Sequence, residues 1–129
     1  MVAKRLVTSV EVDDTDGSDV VSVLVRQELE LTDGRRVLLL DDRGWGSTAT
    51  WASSSTDEIV HTTVAAVGPD EPFEDHTADD MAADHWRALA QAAGRRGVHV
   101  GPAVLRQLRH DVVLSERLLS RLEAREAPD

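Results

Sequence analysis

Residues 20–40 read VVSVLVRQELELTDGRRVLLL, and this stretch decides the fold class. β-branched and aliphatic residues alternate with polar ones, the period of two of a strand with one buried side. Asp33-Gly34 interrupts the pattern and is the strongest hairpin signal in the chain. A two-residue turn there pairs Thr32 with Arg35, Leu29 with Leu38 and Gln27 with Leu40. That register puts Val21, Val23, Val25, Leu29, Leu31, Leu38 and Leu40 on a core face. The opposite face is mixed, with Arg26, Glu28 and Glu30 beside Leu24, Val37 and Leu39.

Upstream, Leu6, Thr8, Val10 and Val12 alternate with Arg5, Ser9 and Glu11, a second strand, and the polar run Asp13–Asp19 reads as the intervening turn. Downstream, Asp41-Asp42-Arg43-Gly44-Trp45-Gly46 breaks the strand as a tight turn that folds Trp45 back onto the sheet. The Ser/Thr/Ala stretch that follows is a loop or weak edge strand with only Trp51 to bury. Residues 58–67 carry two signatures. Ser55 and Glu58 have capping-box spacing, and Val60, Val64 and Val67 would share a helical face. The β-branched content tips the reading to strand.

Beyond Gly68-Pro69 and an acidic loop through Asp75 the period changes to 3.6. Thr77 caps a helix with Asp79 and Asp80 in its first turn and a stripe of Ala82, Trp86, Leu89 and Ala93, stopped by Gly94. Pro102 opens a second helix carrying Leu105 and Leu108, and Ser115 caps a third with Leu118, Leu119 and Leu122. Strands first and helices last predict an α+β fold: an N-terminal antiparallel sheet of four or five strands packed against about three C-terminal helices. At 129 residues the chain is expected to be one domain, 1–67 mainly strands and 77–125 mainly helices.

The chain has no Cys, which excludes disulfides, thiolate zinc sites and thiol nucleophiles. The opening residues lack the apolar core of a secretion signal, and the longest aliphatic run is Val37–Leu40, so a cytoplasmic location is expected. Arg dominance over Lys, with the Ala, Val and Asp usage, fits a GC-rich bacterial genome. The formal charge is −10, and all of the excess lies in residues 1–76, which hold 16 acidic and 6 basic side chains against 8 of each thereafter. Such a balance repels nucleic acid and anionic membranes and steers a basic partner inward.

Catalytic signatures are sparse. The Asp13–Asp19 run fails as a calcium loop, because the twelfth position counted from Asp14 is Val25. The five histidines show no paired metal spacing beyond a loose association of His76 with Asp80 or Asp84. Ser53–Ser55 lack a nucleophile elbow, and His110-Asp111, adjacent in sequence, reads as a helix boundary. Arg95, Arg96, Arg106 and Arg109 around two short helices loosely suggest a nucleic-acid reader, against which the neutral segment and its long connection argue. No cofactor or metal is expected.

In composition the chain resembles small acidic immunity and antitoxin-like inhibitors, a likeness that assigns no residue. The leading expectation is an acidic protein-interaction module, of inhibitor or immunity type, facing a basic partner. Its contacts would be Asp13, Asp14, Asp16, Asp41, Asp42, Asp70 and Glu71, with Trp45 or Trp51 as apolar anchors. Three alternatives stay open: a homodimer, a small-molecule site or small enzyme between sheet and helices, and a nucleic-acid regulator.

Overall fold

The computed structural model describes residues 2–13 and 19–126, with side chains as far as residue 122. Its elements are β1 (Ala3–Val12), β2 (Val20–Leu31), β3 (Arg36–Leu40), β4 (Trp45–Thr50), a 3-10 turn (Trp51–Ser53), α1 (Thr56–Ala66), α2 (Ala78–Arg95), α3 (Pro102–Gln107), β5 (Arg109–Leu114) and α4 (Glu116–Glu126). The α+β class holds. The sheet runs β3-β2-β1-β5, with β4 also pairing β2. It is mixed rather than antiparallel throughout: β5 lies parallel to β1, Leu6 opposite His110 and Val10 opposite Leu114. His110-Asp111 therefore sits inside a strand, not at a helix boundary.

The β2–β3 hairpin forms at Asp33-Gly34, but its register differs from the simple expectation. Leu31 N–H donates to Arg35 C=O at 2.8 Å across a three-residue loop, and Gly34 takes φ 89°, a left-handed conformation that glycine adopts freely. The extra residue puts Leu29 opposite Val37 and Glu28 opposite Leu38. A bulge then restores Gln27 opposite Leu40. The outcome turns Val37 and Leu39 toward the helices and Leu38 away.

Residues 56–66 are helical, correcting the strand reading. Ser55 Oγ accepts from Glu58 N–H at 3.2 Å. Ile59, Thr63 and Val67, one helical face, are buried, while Val64 is exposed. The cap and the i, i+4 stripe outweigh β-branched propensity, which is a weak preference when a face has a core to meet. Trp45 Nε1–H donates to Thr63 Oγ1 at 3.0 Å, tying α1 to β4. Gly44 lets the chain entering β4 pass close against β2: a Cβ there would stand 2.8 Å from Val23 C=O.

Thr77 caps α2 as its sequence predicts, and Asp80 completes a reciprocal capping box, with Thr77 Oγ1 accepting from Asp80 N–H and the Asp80 carboxylate from Thr77 N–H, both at 3.1 Å. The helix runs past Gly94 and ends at Gly97, where φ is 86° and Val98 N–H reaches Ala93 C=O. Its buried stripe is His85, Leu89, Ala92 and Ala93, with Trp86 half-buried at the edge. Pro102 opens α3, and Ser115 Oγ accepts from Leu118 N–H to cap α4.

All helix packing falls on one side of the sheet, in two apolar clusters. One joins Val10, Val12, Val23 and Val25 to Trp51, Ile59, Leu118 and Leu122; the other joins Leu6, Leu29, Leu31 and Leu39 to Leu89, Ala93 and Leu105. Between them in register lies a polar row. Gln27 Nε2 donates to Thr8 Oγ1 at 3.3 Å, and Thr8 Oγ1 is 2.6 Å from His110 Nε2. Thr8 and Gln27 are buried, and burial lowers the His110 pKa against the opposing pull of Asp111. Among the described residues, no helix is long and apolar enough to cross a membrane.

Candidate functional site

The side of the sheet away from the helices carries Arg5, Val7, Ser9 and Glu11 from β1, Leu24, Arg26, Glu28 and Glu30 from β2, and Arg109, Asp111 and Val113 from β5, as the strand registers dictate. The two ends of this face differ in chemistry.

At one end the charges satisfy one another across four strands. Arg36 Nη2 on β3 is 3.2 Å from Glu30 Oε2 on β2. Arg5 on β1 places Nη2 2.9 Å from the same oxygen and Nη1 2.7 Å from Asp111 Oδ2 on β5. Arg109 Nε closes the row 2.9 Å from Asp111 Oδ1, and Lys4 Nζ stands 3.5 Å from Glu30 Oε1. The Arg5 hydrogen bond is the first cause holding both carboxyls below the usual carboxylate range, joined at Asp111 by Arg109. Asp111 and Glu30 in turn raise the Arg5 guanidinium. Val7, flanked in register by Glu28 and Asp111, is fully buried within this charged end.

At the other end lies a groove of about 580 Å³ whose lining includes Ser9, Glu11, Leu24, Arg26, Glu28, Asp41 and Val113. Leu24 and Val113 are 54% and 49% exposed, so two large apolar side chains stand in water on neighbouring strands of β1. Glu11 is held locally, its Oε1 accepting from Val12 N–H at 2.7 Å and Ser115 Oγ–H at 2.8 Å. Among the described residues, neither Glu28 nor Asp41 lies within ion-pair distance of a basic group. Three carboxylates against one guanidinium leave the groove negative.

The residues expected from sequence are dispersed. Asp41 lines the groove. Asp13 is half-buried at the end of β1, its N–H bonded to Ser22 C=O. Asp14 and Asp16 lie outside the described residues. Asp42 and Asp70 flank Arg43, at 3.9 and 3.3 Å, and Glu71 is exposed nearby in sequence. Trp51 is 5% exposed, with Arg121 5.7 Å from its ring centre, and Trp45 is half-buried against α1; both indoles belong to the packing of the fold. Ser9, Glu11, Leu24, Arg26, Glu28 and Val113 line the groove beside Asp41. Leu24 and Glu28 were visible in sequence as members of the mixed face of β2, whereas nothing local marked Val113.

A smaller recess of about 270 Å³ lies between α2 and β3, lined by Leu39, Arg43, Asp70, Met81, His85 and Arg95 among others. His85 Nε2 is buried without a hydrogen-bond partner among the described residues, and its pKa is lowered first by burial and then by Arg43, with Asp70 opposing. In the acidic loop, Glu74, Asp75 and His76 bring ligand atoms within 4.8 Å of one another, all three fully on the surface. Of the partners considered for His76, Asp80 is engaged in the α2 cap and Asp84 pairs with Arg87 at 3.1 Å. A scan against protein-family models, a search of curated proteins and a search of solved structures each found no match to this chain.

Proposed function

We propose that the protein is an acidic interaction module whose open sheet face receives a basic, partly apolar surface of another protein, in the manner of an inhibitor or immunity protein. The observation that supports this most directly is the contrast along one face. Its charges are mutually satisfied at the Arg5 end, while Glu28 and Asp41 have no ion-pair partner among the described residues and stand beside exposed Leu24 and Val113 at the other. Apolar surface rimmed by like charge is the composition of a contact site, and the net charge of −10 adds long-range attraction for a cationic partner. A cytoplasmic setting remains part of the proposal.

The rival reading, a pocket-bearing enzyme or ligand-binding domain, draws on the recess at His85. Arg43 and Asp70 there pair with each other, and about 270 Å³ falls below the usual range of small-molecule sites. The open face has the stronger claim.

Zero-length carbodiimide crosslinking in an extract of the native host tests this, since it joins a carboxylate only to an amine in contact. Crosslinks to partner lysines are expected at Glu28 and Asp41, fading as salt is raised. Crosslinks spread evenly over all exposed carboxylates, Asp57 and Glu58 included, would sink the proposal.

A further inference from the structure

We infer that the element seated on the open face is an amphipathic α-helix of the partner, bearing an apolar ridge flanked by Lys and Arg. This rests on the reading of that face as an acidic interaction surface and adds the form of the occupant.

The first argument is hydrogen bonding. The floor of the groove, at Ser9, Glu11 and Arg26, lies over β1 and β2, which are interior strands, with the edge strand β5 forming only one wall: β1 is paired by β2 on one side and β5 on the other, and β2 by β1 and by β3 and β4. An extended segment laid across them finds no ladder to join, so its own N–H and C=O groups would lose water without gaining partners. A helix brings its backbone already paired.

The second argument is shape. Leu24 on β2 and Val113 on β5 stand on either side of β1 and diagonally to each other, Leu24 opposite Glu11 and Val113 opposite Ser9, which sets them about 12 Å apart. Ser9, small and half-buried, lies on β1 with Val113 directly opposite on one side and Arg26 on the other, one step along the strand from the Glu11–Leu24 pair. The two apolar side chains stand diagonally about the low Ser9 floor as a shallow trough, and one apolar face of a helix about 10 Å across is wide enough to cover that diagonal. Residues at i, i+3, i+4 and i+7 would enter over Ser9 between Leu24 and Val113.

The third argument is charge. Glu28 and Asp41 border the trough without ion-pair partners among the described residues, and Glu11 adds a third carboxylate. Lys and Arg on the flanks of the helix answer all three. Docking would convert two layers into a helix–sheet–helix sandwich, the usual way of covering a sheet on both sides.

Two display libraries of equal diversity provide the test, one of single helices of about five turns (~18 residues), the other of the same composition with a central proline pair. Both are selected against the whole protein, and binders are re-tested on Leu24→Asp, Val113→Asp and Glu28→Lys, surface changes whose folding is checked by circular dichroism. The helix inference predicts binders from the first library, rich in Lys and Arg beside an apolar ridge, that lose at least tenfold in affinity on each variant. Groove-directed binders arising only from the proline library would overturn the helix and leave the basic-partner reading standing. Binders indifferent to all three variants, or no binders, would overturn both. Concentration-dependent dimerisation abolished by Leu24→Asp would give the face to a second copy of the chain and overturn the inference.

Discussion

Arg5 Nη1 lies 2.7 Å from Asp111 Oδ2, a hydrogen bond between residues 106 positions apart that ties the first strand to the last. The same guanidinium holds Glu30 through Nε and Nη2, so one side chain bridges three strands.

Asp111→Asn keeps the shape of this contact and removes its charge. It is expected to accelerate amide hydrogen exchange in 109–114 while leaving the β1–β2 ladder protected, because β1 is the sole strand neighbour of β5 among the described residues. Exchange read by mass spectrometry checks this. A uniform loss of protection, or none, would show that the ion pair does not locally secure the edge strand.

The histidines make the fold acid-sensitive before the carboxylates do. Burial lowers the pKa of His85 and His110 in the folded chain. Unfolded histidine, near 6.5, therefore takes up protons first. Stability is full above about pH 6.5 and declines as pH falls from there through the lower folded values. Glu30 and Asp111 are also depressed, so their contribution is lost further down, as pH falls from about 4 through their folded values. His85→Leu is expected to flatten the upper limb and raise the denaturation midpoint at pH 5. Urea melts across pH 4–8 would show an unchanged slope if His85 were not responsible.

The polar row in the core makes a sharper statement about one proton. Gln27 Nε2 can only donate to Thr8 Oγ1, and the hydroxyl then directs its own hydrogen to His110 Nε2. His110 is thereby expected as the tautomer protonated at Nδ1, which nitrogen-15 shifts of the imidazole distinguish. Thr8→Val keeps the volume but strips both neighbours of their partner, a loss of about 1–3 kcal/mol in a denaturant melt. A neutral result would mean that neither bond forms in solution.

Two glycines predict opposite signs. Gly44→Ala drives a Cβ to 2.8 Å from Val23 C=O, and the required backbone shift costs about 1–3 kcal/mol. Gly94 lies within α2 with open space around its Cβ position, so Gly94→Ala is expected to stabilise by about 0.5–1 kcal/mol. Thermal melts of the two variants decide both.

Local chemistry written into the chain was readable where it acts over a few residues: the Asp33-Gly34 turn, the Thr77 cap, Pro102 at a helix start and Ser115 at another. Residues 56–66 misled because Val, Ile and Thr signal strands on average, whereas here Ile59, Thr63 and Val67 meet a core that only the assembled sheet supplies. β5 was harder still. The segment Arg109–Leu114 mixes charge and valine over six residues and becomes a strand through pairing with β1, a partner about a hundred residues away. The groove inherits this division. Its β2 half, with Leu24 and Glu28, and Asp41 beside it could be seen in sequence, but its Val113 wall could not exist on paper until β5 did.

The parallel placement of β5 also sets the order in which the molecule can be finished. A ribosome delivers β1 first, yet the strand that shields its second edge is made only after three other strands and, among the described residues, four helical segments have emerged. Until then the nascent chain carries a bare row of amide and carbonyl groups along β1, the kind of edge that recruits strands from other molecules. Completion of the sheet therefore waits on some of the longest-range pairings in the chain, and the interval before them is when it is most exposed to misassembly.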